Sequence, residues 1–398
     1  MPEGNIVYYN AVLANGKTII EPDGPFCNFY EQRSQPLVQD ASQYDFTVIR
    51  LVGNGLGRSL PLFIPQIELG QSDPNKTVYE IVLTFQFYGY DPSTVLIESP
   101  VFRNAQHIIY SPENKTLAPP AAPLTRQDSS NEYYYVKSYA SFIESCNAAF
   151  LKAVNGFIIM PDGGVQRDPT SLVSQLTNWW LGLGYSASTV PDITGNAPIL
   201  SFDGASGLFQ IATSTSFQTG GPAGAPAFHL LFNPPLQNLF ANFPFFQEAD
   251  YSRLHVSPFL QPASSGKILI VQEAVSTNQC WSPIGEFVLQ STLLPCVPEQ
   301  TMPPNILGLD DGVHSSFSPQ LTDISIYLEQ GGHDQTSMLY YAPSPQYRLI
   351  DLGRQRVPIQ NVDIQILWRH RITQELIPVK LGPGASVSIK MAFIKKMV

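Results

Sequence analysis

Residues of this 398-residue chain that could do chemistry are few and scattered. Gly53-Asn54-Gly55-Leu56-Gly57-Arg58-Ser59 has the glycine density of a phosphate loop. Such a loop needs a helix N-terminus directly after it, because the helix supplies the N–H groups that hold the anion. Here Leu60-Pro61-Leu62-Phe63-Ile64-Pro65 follows and reads as a strand, so the glycines are expected to form a turn between paired strands. Asp310-Asp311-Gly312-Val313-His314 gathers two carboxylates and an imidazole, the parts of an acid–base or metal site. It lacks the alternating oxygen ligands and closing Glu of a calcium loop, and the paired histidines of a zinc hydrolase. A solvated turn is the expectation. The six histidines, at 107, 229, 255, 314, 333 and 370, stand singly. Cys27, Cys146, Cys280 and Cys296 form no C-x-x-C pair and are expected to be free thiols in a reducing compartment. There is no G-x-S-x-G elbow. This inventory calls for no enzyme activity, no cofactor and no metal.

Two further groups could bind rather than react. Trp179, Trp180 and Tyr185, with Leu181 and Leu183, make an apolar cluster that reads either as an interface anchor or as core. Beyond Gln346 nine basic residues face three acidic ones, although the whole chain carries a formal charge of −10. Arg354, Arg356, Arg369, Arg371, Lys390, Lys395 and Lys396 are the candidate basic face toward nucleic acid or an acidic neighbour. The competing reading makes them polar-face residues of exposed strands, with Lys guarding an edge. Tyr133-Tyr134-Tyr135 reads as an edge strand.

The elements that must position these residues are mostly strands. Asn15-Gly16 between Val12-Leu13-Ala14 and Lys17-Thr18-Ile19-Ile20 predicts a tight hairpin. Phe46–Gly53, the alternation Tyr79 to Phe87, Lys267–Val271 and Asp323–Tyr327 read as further strands, and Ser201 to Gln210 as a hairpin turning near Gly204 and Gly207. In the last forty residues Val362, Ile364, Ile366 and Trp368 oppose Asp363, Gln365 and Arg369, and Val387, Ile389, Met391 and Phe393 alternate with Ser and Lys. Three short helices are predicted, from Ser141 to Gly156, from Asp168-Pro169 through Trp180, and from Asn233-Pro234 to Phe240. Residues 111–126 and 218–226 read as exposed loops. Asn75-Lys76-Thr77 and Asn114-Lys115-Thr116 match a glycosylation sequon and are assigned to loops. The N-terminus carries no leader pattern, and no stretch is apolar enough to span a membrane.

Charged residues make up 14% of the chain, against roughly 25% in an ordinary domain. Ser, Thr, Asn, Gln, Gly, Pro and Tyr must cover its outside instead. Charge is depleted at the centre of lasting interfaces, so this surface points to assembly.

The strand Phe46–Gly53, the Gly-rich corner after it, Leu62–Ile64 and the closing pair Asp363–Arg371 and Ser386–Ile394 resemble the jelly-roll capsid proteins of non-enveloped icosahedral viruses. The short helix at Phe232-Asn233-Pro234-Pro235-Leu236 fits a capsid corner loop. The resemblance implies an all-β, antiparallel jelly-roll β-sandwich with a few short helices in inserted loops. It also implies a structural virion protein that self-assembles into an icosahedral shell with copies of itself and other capsid proteins. Penton-like subunits use one roll in a pentamer; hexon-like subunits use two in a trimer. The expected division is an N-terminal arm with a hairpin, 1–40, and an elaborated roll, 41–398, with an insertion around 138–197. Two rolls at about 41–195 and 196–398 are the alternative. A host-attachment or carbohydrate-binding sandwich is the alternative function.

Overall fold

The computed structural model describes residues 6–16, 25–56, 59–159, 165–217, 227–246, 254–256, 261–263, 267–273, 277, 281–296, 320–325, 338–342, 348–353 and 355–396. In chain order its main strands are β1 (Ile6–Ala14), β2 (Asn28–Gln32), β3 (Tyr44–Asn54), β4 (Lys76–Gln86), β5 (Phe102–Ile109), β6 (Ile199–Asp203) and β7 (Leu208–Ser214). There follow β8 (Ala227–Phe232), β9 (Lys267–Val271), β10 (Ile284–Gln290), β11 (Gln320–Ser325), β12 (Met338–Tyr341), β13 (Asn361–His370) and β14 (Ser386–Lys395). The helices are α1 (Tyr139–Asn155), α2 (Leu172–Gly182) and α3 (Pro234–Leu239).

The chain divides into two compact units, residues 1–62 with 282–398, and residues 63–281. In the first, two antiparallel sheets run β1-β14-β3-β12 and β11-β10-β13-β2. Counting along the chain only the eight strands just named, and leaving out the short Ile350–Asp351 and Leu376–Pro378 that pair beside them, the orders are 1-8-3-6 and 5-4-7-2, which is jelly-roll wiring. Alternation drives it. Val387, Ile389, Met391 and Phe393 of β14 are buried, as are Val362, Ile364, Ile366 and Trp368 of β13. Phe46 and Phe393 meet in this core with ring centroids 5.3 Å apart.

These boundaries differ from both divisions expected above. Residues 1–40 hold β1 and β2, two strands of the roll itself, and the insertion runs from Phe63 to Trp281 rather than 138–197. The reason is range: Ile6 pairs with Ile394, and no local pattern announces such a pairing. β1 pairs along its whole length with β14; the predicted hairpin partner Lys17–Ile20 lies outside the described residues. Asn15 is instead tied to the loop before β14, its side-chain amide donating to Leu381 O at 2.7 Å.

The second unit sets β4 between β8 and β5, and pairs β6, β7 and β9 in another sheet. Its core is aromatic. Trp281 stacks on Phe209 (4.9 Å, 11°), is edged by Phe142 and Phe240, and donates its indole N–H to Leu239 O at 2.8 Å. Helix α1 lays Phe142, Cys146, Ala149, Phe150 and Ala153 into this core and ends at Gly156, whose φ of 65° accommodates the left-handed cap.

Several local expectations need correction. The N-cap of α1 is Ser138, three residues before the Ser141 of the capping box, and α2 is capped by Ser171, while Asp168 closes a turn onto Thr170. Tyr133 and Tyr134 belong to a single 3-10 turn, and all three tyrosines are buried. Leu60–Pro65 makes one bridge, Phe63 to Val136, because Pro61 and Pro65 have no N–H for a ladder. Asn75 of the first sequon lies in a turn, but its Thr77 lies in β4, buried, with its hydroxyl on Ile108 O at 2.6 Å.

Candidate functional site

The expectation of assembly makes the candidate site a surface. The first sheet of the jelly-roll unit presents one. Odd residues of β1 point inward, with Tyr9 and Ala11 buried, and even residues point out. Val12 stands opposite Ser388, Ser388 opposite Val52, and Val52 opposite Tyr340, so one outward row crosses all four strands. Its two ends are its most exposed members, Val12 at 70% and Tyr340 at 61%. The neighbouring row carries Asn10, Lys390 and Arg50. The Lys390 ammonium lies 5.0 Å from the centre of the Tyr8 ring, a cation–π pair on the same outer face.

The basic residues do not form one face. Lys390 and Lys395 belong to the first sheet, and Arg369 belongs to the second. Arg369 Nε donates to Glu286 Oε1 at 2.5 Å, its cross-strand neighbour. Lys396 Nζ reaches Asp351 Oδ1 at 2.7 Å. Arg348 is paired with Asp323. Arg356 and Arg371 are exposed, and Arg354 lies outside the described residues. Arg348, Arg369 and Lys396 therefore neutralise carboxylates of the same unit.

The tryptophan cluster separates in the same way. Trp180 is buried, with its indole N–H on Thr189 Oγ1 at 3.0 Å and its ring at 5.6 Å from Phe87. Trp179 is half-buried against Phe87 and Phe102. Tyr185 packs on Trp180 and donates to Asp91 Oδ2 at 2.6 Å. That bond, then the Val95 and Ser93 amides, hold the Asp91 carboxyl below its usual range. The outward residues are Leu181 and Leu183, with Tyr90, Val95 and Leu96 of the neighbouring hairpin.

Among the described residues no group of three or more His, Cys, Asp or Glu could hold a metal. Asp310–His314 lies outside them. His370 is buried and its Nδ1 accepts from the Thr373 amide at 3.0 Å, which closes a turn. His107 Nδ1 lies 3.1 Å from Thr77 O. Burial pushes the Cys27 thiol up to about 12, and raises that of Cys146 as well.

What the sequence reading missed is the use of the scarce aspartates. Asp40, Asp128, Asp168 and Asp192 each accept both the amide and the hydroxyl of the Ser or Thr two residues on. The signal, Asp-x-Ser/Thr, was there to read. Buried Asp363 goes further, accepting from Ser291 Oγ (2.5 Å), Thr292 N and Oγ1 (2.9 and 2.6 Å) and Leu293 N (2.9 Å).

Known proteins agree with this architecture. A family model described as Sputnik minor capsid protein V18/19 matches residues 7–395. An uncharacterized protein V18 of Sputnik virophage is 27% identical over 135 residues, 32% of this chain and 70% of that protein. A chain of the Sputnik virophage cryo-EM structure superposes with a TM-score of 0.70 at 19% identity, over 99% of each chain. The mavirus penton protein crystal structure gives 0.59 at 14% identity, over 98% of this chain and 99% of that one. A match that starts inside β1 and ends with β14 takes in the whole roll and its insertion, so the chain belongs to the Sputnik minor capsid protein V18/19 family and is a structural component of an icosahedral capsid.

Proposed function

We propose that this protein is the vertex subunit of its shell and works as a closed ring of five copies. The observation that carries the reading is the wiring: among the described residues the jelly-roll order is found in the unit of residues 1–62 and 282–398, one roll interrupted by residues 63–281. One roll per subunit suits a five-fold ring, whereas three-fold capsomers combine two. The penton name of the mavirus neighbour supports the same choice. The role is mechanical rather than catalytic. Cys27, Cys146 and Cys296 stand as free thiols, which suits assembly in the reducing interior of a host cell. A contact with nucleic acid would rest on Arg356, Arg371, Lys390 and Lys395, and would be weak.

Native mass spectrometry with negative-stain microscopy of the purified chain tests this. Rings of five are expected. Trimers, or a monomer at every concentration and salt, would refute the vertex assignment.

A further inference from the structure

The β1 edge of the first sheet differs from an ordinary protected edge. β1 reads Ile-Val-Tyr-Tyr-Asn-Ala-Val-Leu-Ala over nine residues, with no charge, proline or glycine. Its register with β14 runs unbroken from Ile6–Ile394 to Ala14–Ser386, so no bulge twists it away. Natural sheets blunt an open edge with such devices, and an edge without them is a template for another strand.

The backbone shows which groups are on offer. Asn15 N–H donates to Ala385 O at 2.9 Å and Asn15 O accepts from Gly384 at 2.8 Å, so Asn15 faces the β14 side. Bonding alternates along an antiparallel strand. Leu13, Ala11, Tyr9 and Val7 therefore also face β14, and the N–H and C=O groups of Tyr8, Asn10 and Val12 point out of the sheet edge. Among the described residues no strand pairs with that side.

We propose that the β1 edge is completed by the opposite edge of the same sheet, β12, from a second copy of this chain. Three observations select that occupant. Strands in the sheet alternate in direction, so a copy added head to tail sets its β12 antiparallel to β1. Joining the edges sets Tyr340 of one copy against Val12 of the next, the two exposed ends of one row, as an aromatic–β-branched cross-strand pair. Neither edge strand carries a charged residue that burial would strand. Head-to-tail joints of this kind close into rings when the rotation permits. The inference rests on the five-copy reading for the ring size, but not for the joint.

Two variants test it in the full chain. Val12→Lys and Tyr340→Lys, each at an exposed position, are expected to leave the melting temperature of the isolated subunit unchanged and to abolish the ring. Rings that persist at the wild-type level in both variants overturn the joint while leaving the five-copy reading intact. The double variant Val12→Cys/Tyr340→Cys is expected to give, on mild oxidation, a ladder of disulfide-linked oligomers that neither single variant gives. A Val12→Cys single variant that links to itself would mean two-fold pairing of β1 edges and overturn the proposal, as would no ladder at all. A ladder closing at a number other than five supports the joint and refutes the ring size.

Discussion

Tyr185 and Asp91 are 94 residues apart in the chain, and the phenol donates to the carboxylate at 2.6 Å. The bond straps the hairpin Tyr88–Glu98 to the segment after α2 and rests on buried Trp180. Trp180 and Tyr185, which read from sequence either as an interface anchor or as core, are in the fold a core residue and a strap. Replacing Trp180 by Ala should destabilise the protein by about 3–5 kcal/mol, the usual range for a buried aromatic. Leu183→Ser, at an exposed position, should change stability by less than about 0.5 kcal/mol. Denaturant midpoints for the two variants decide it; equal effects would return Trp180 to the surface.

Asp363→Ala should be among the most damaging polar substitutions. It leaves two hydroxyls and two amides of Ser291–Leu293 without their acceptor. A loss of about 3 kcal/mol is expected from stranding donors bound to a buried charge. Calorimetry measures it, and a loss below about 1 kcal/mol would show that water replaces the carboxylate.

Acid should weaken the fold through these same groups. Burial pushes the Asp363 carboxyl up, but the four donors outweigh it and its pKa falls below 3.8. Hydrogen bonds lower Asp40, Asp91, Asp192 and Asp203 likewise. A group depressed in the folded state stabilises fully above its unfolded pKa and loses that contribution as pH falls through the folded value. These five should therefore contribute fully at pH 6 and progressively less below about pH 4. Urea midpoints against pH should fall in that window, with a shallower fall for Asp363→Asn; identical slopes would remove Asp363 from the account.

Thiol accessibility gives an independent check on the core. Cys27 and Cys146 are buried, and deprotonation of either is opposed by desolvation. Neither should react with a thiol reagent at pH 7.5 until the chain unfolds. Rapid native labelling of Cys146 would contradict the packing of α1.

The strands that alternate cleanly were legible in the sequence. β9 spans Lys267–Val271 as predicted, and β13 and β14 match within a residue or two, because one buried face writes a period of two into the chain. Asn233 was legible too, as the cap of α3, its side chain also holding Glu80 N and Val78 O. Tyr133–Tyr135 was not, since aromatic residues favour strands only where a partner strand exists, and here each hydroxyl finds an acceptor in a turn. The division into units was hidden for a different reason. It depends on which distant strands pair, and pairing across hundreds of residues leaves no local trace. The surface row from Val12 to Tyr340 shares that origin, so its members could be listed as strand residues but not placed together.

The adjacency of β3 and β14 has a consequence for synthesis. At about 5–20 residues per second the ribosome needs roughly 15–65 s to travel from one strand to the other. Residues 63–281 form their unit from one uninterrupted stretch and can fold while the chain is still being made. The roll cannot, because the strand that lies between β1 and β3 is made after its other strands. Until that strand is made β1 has no neighbour to hold it flat, so a joint along that margin has to wait for β14.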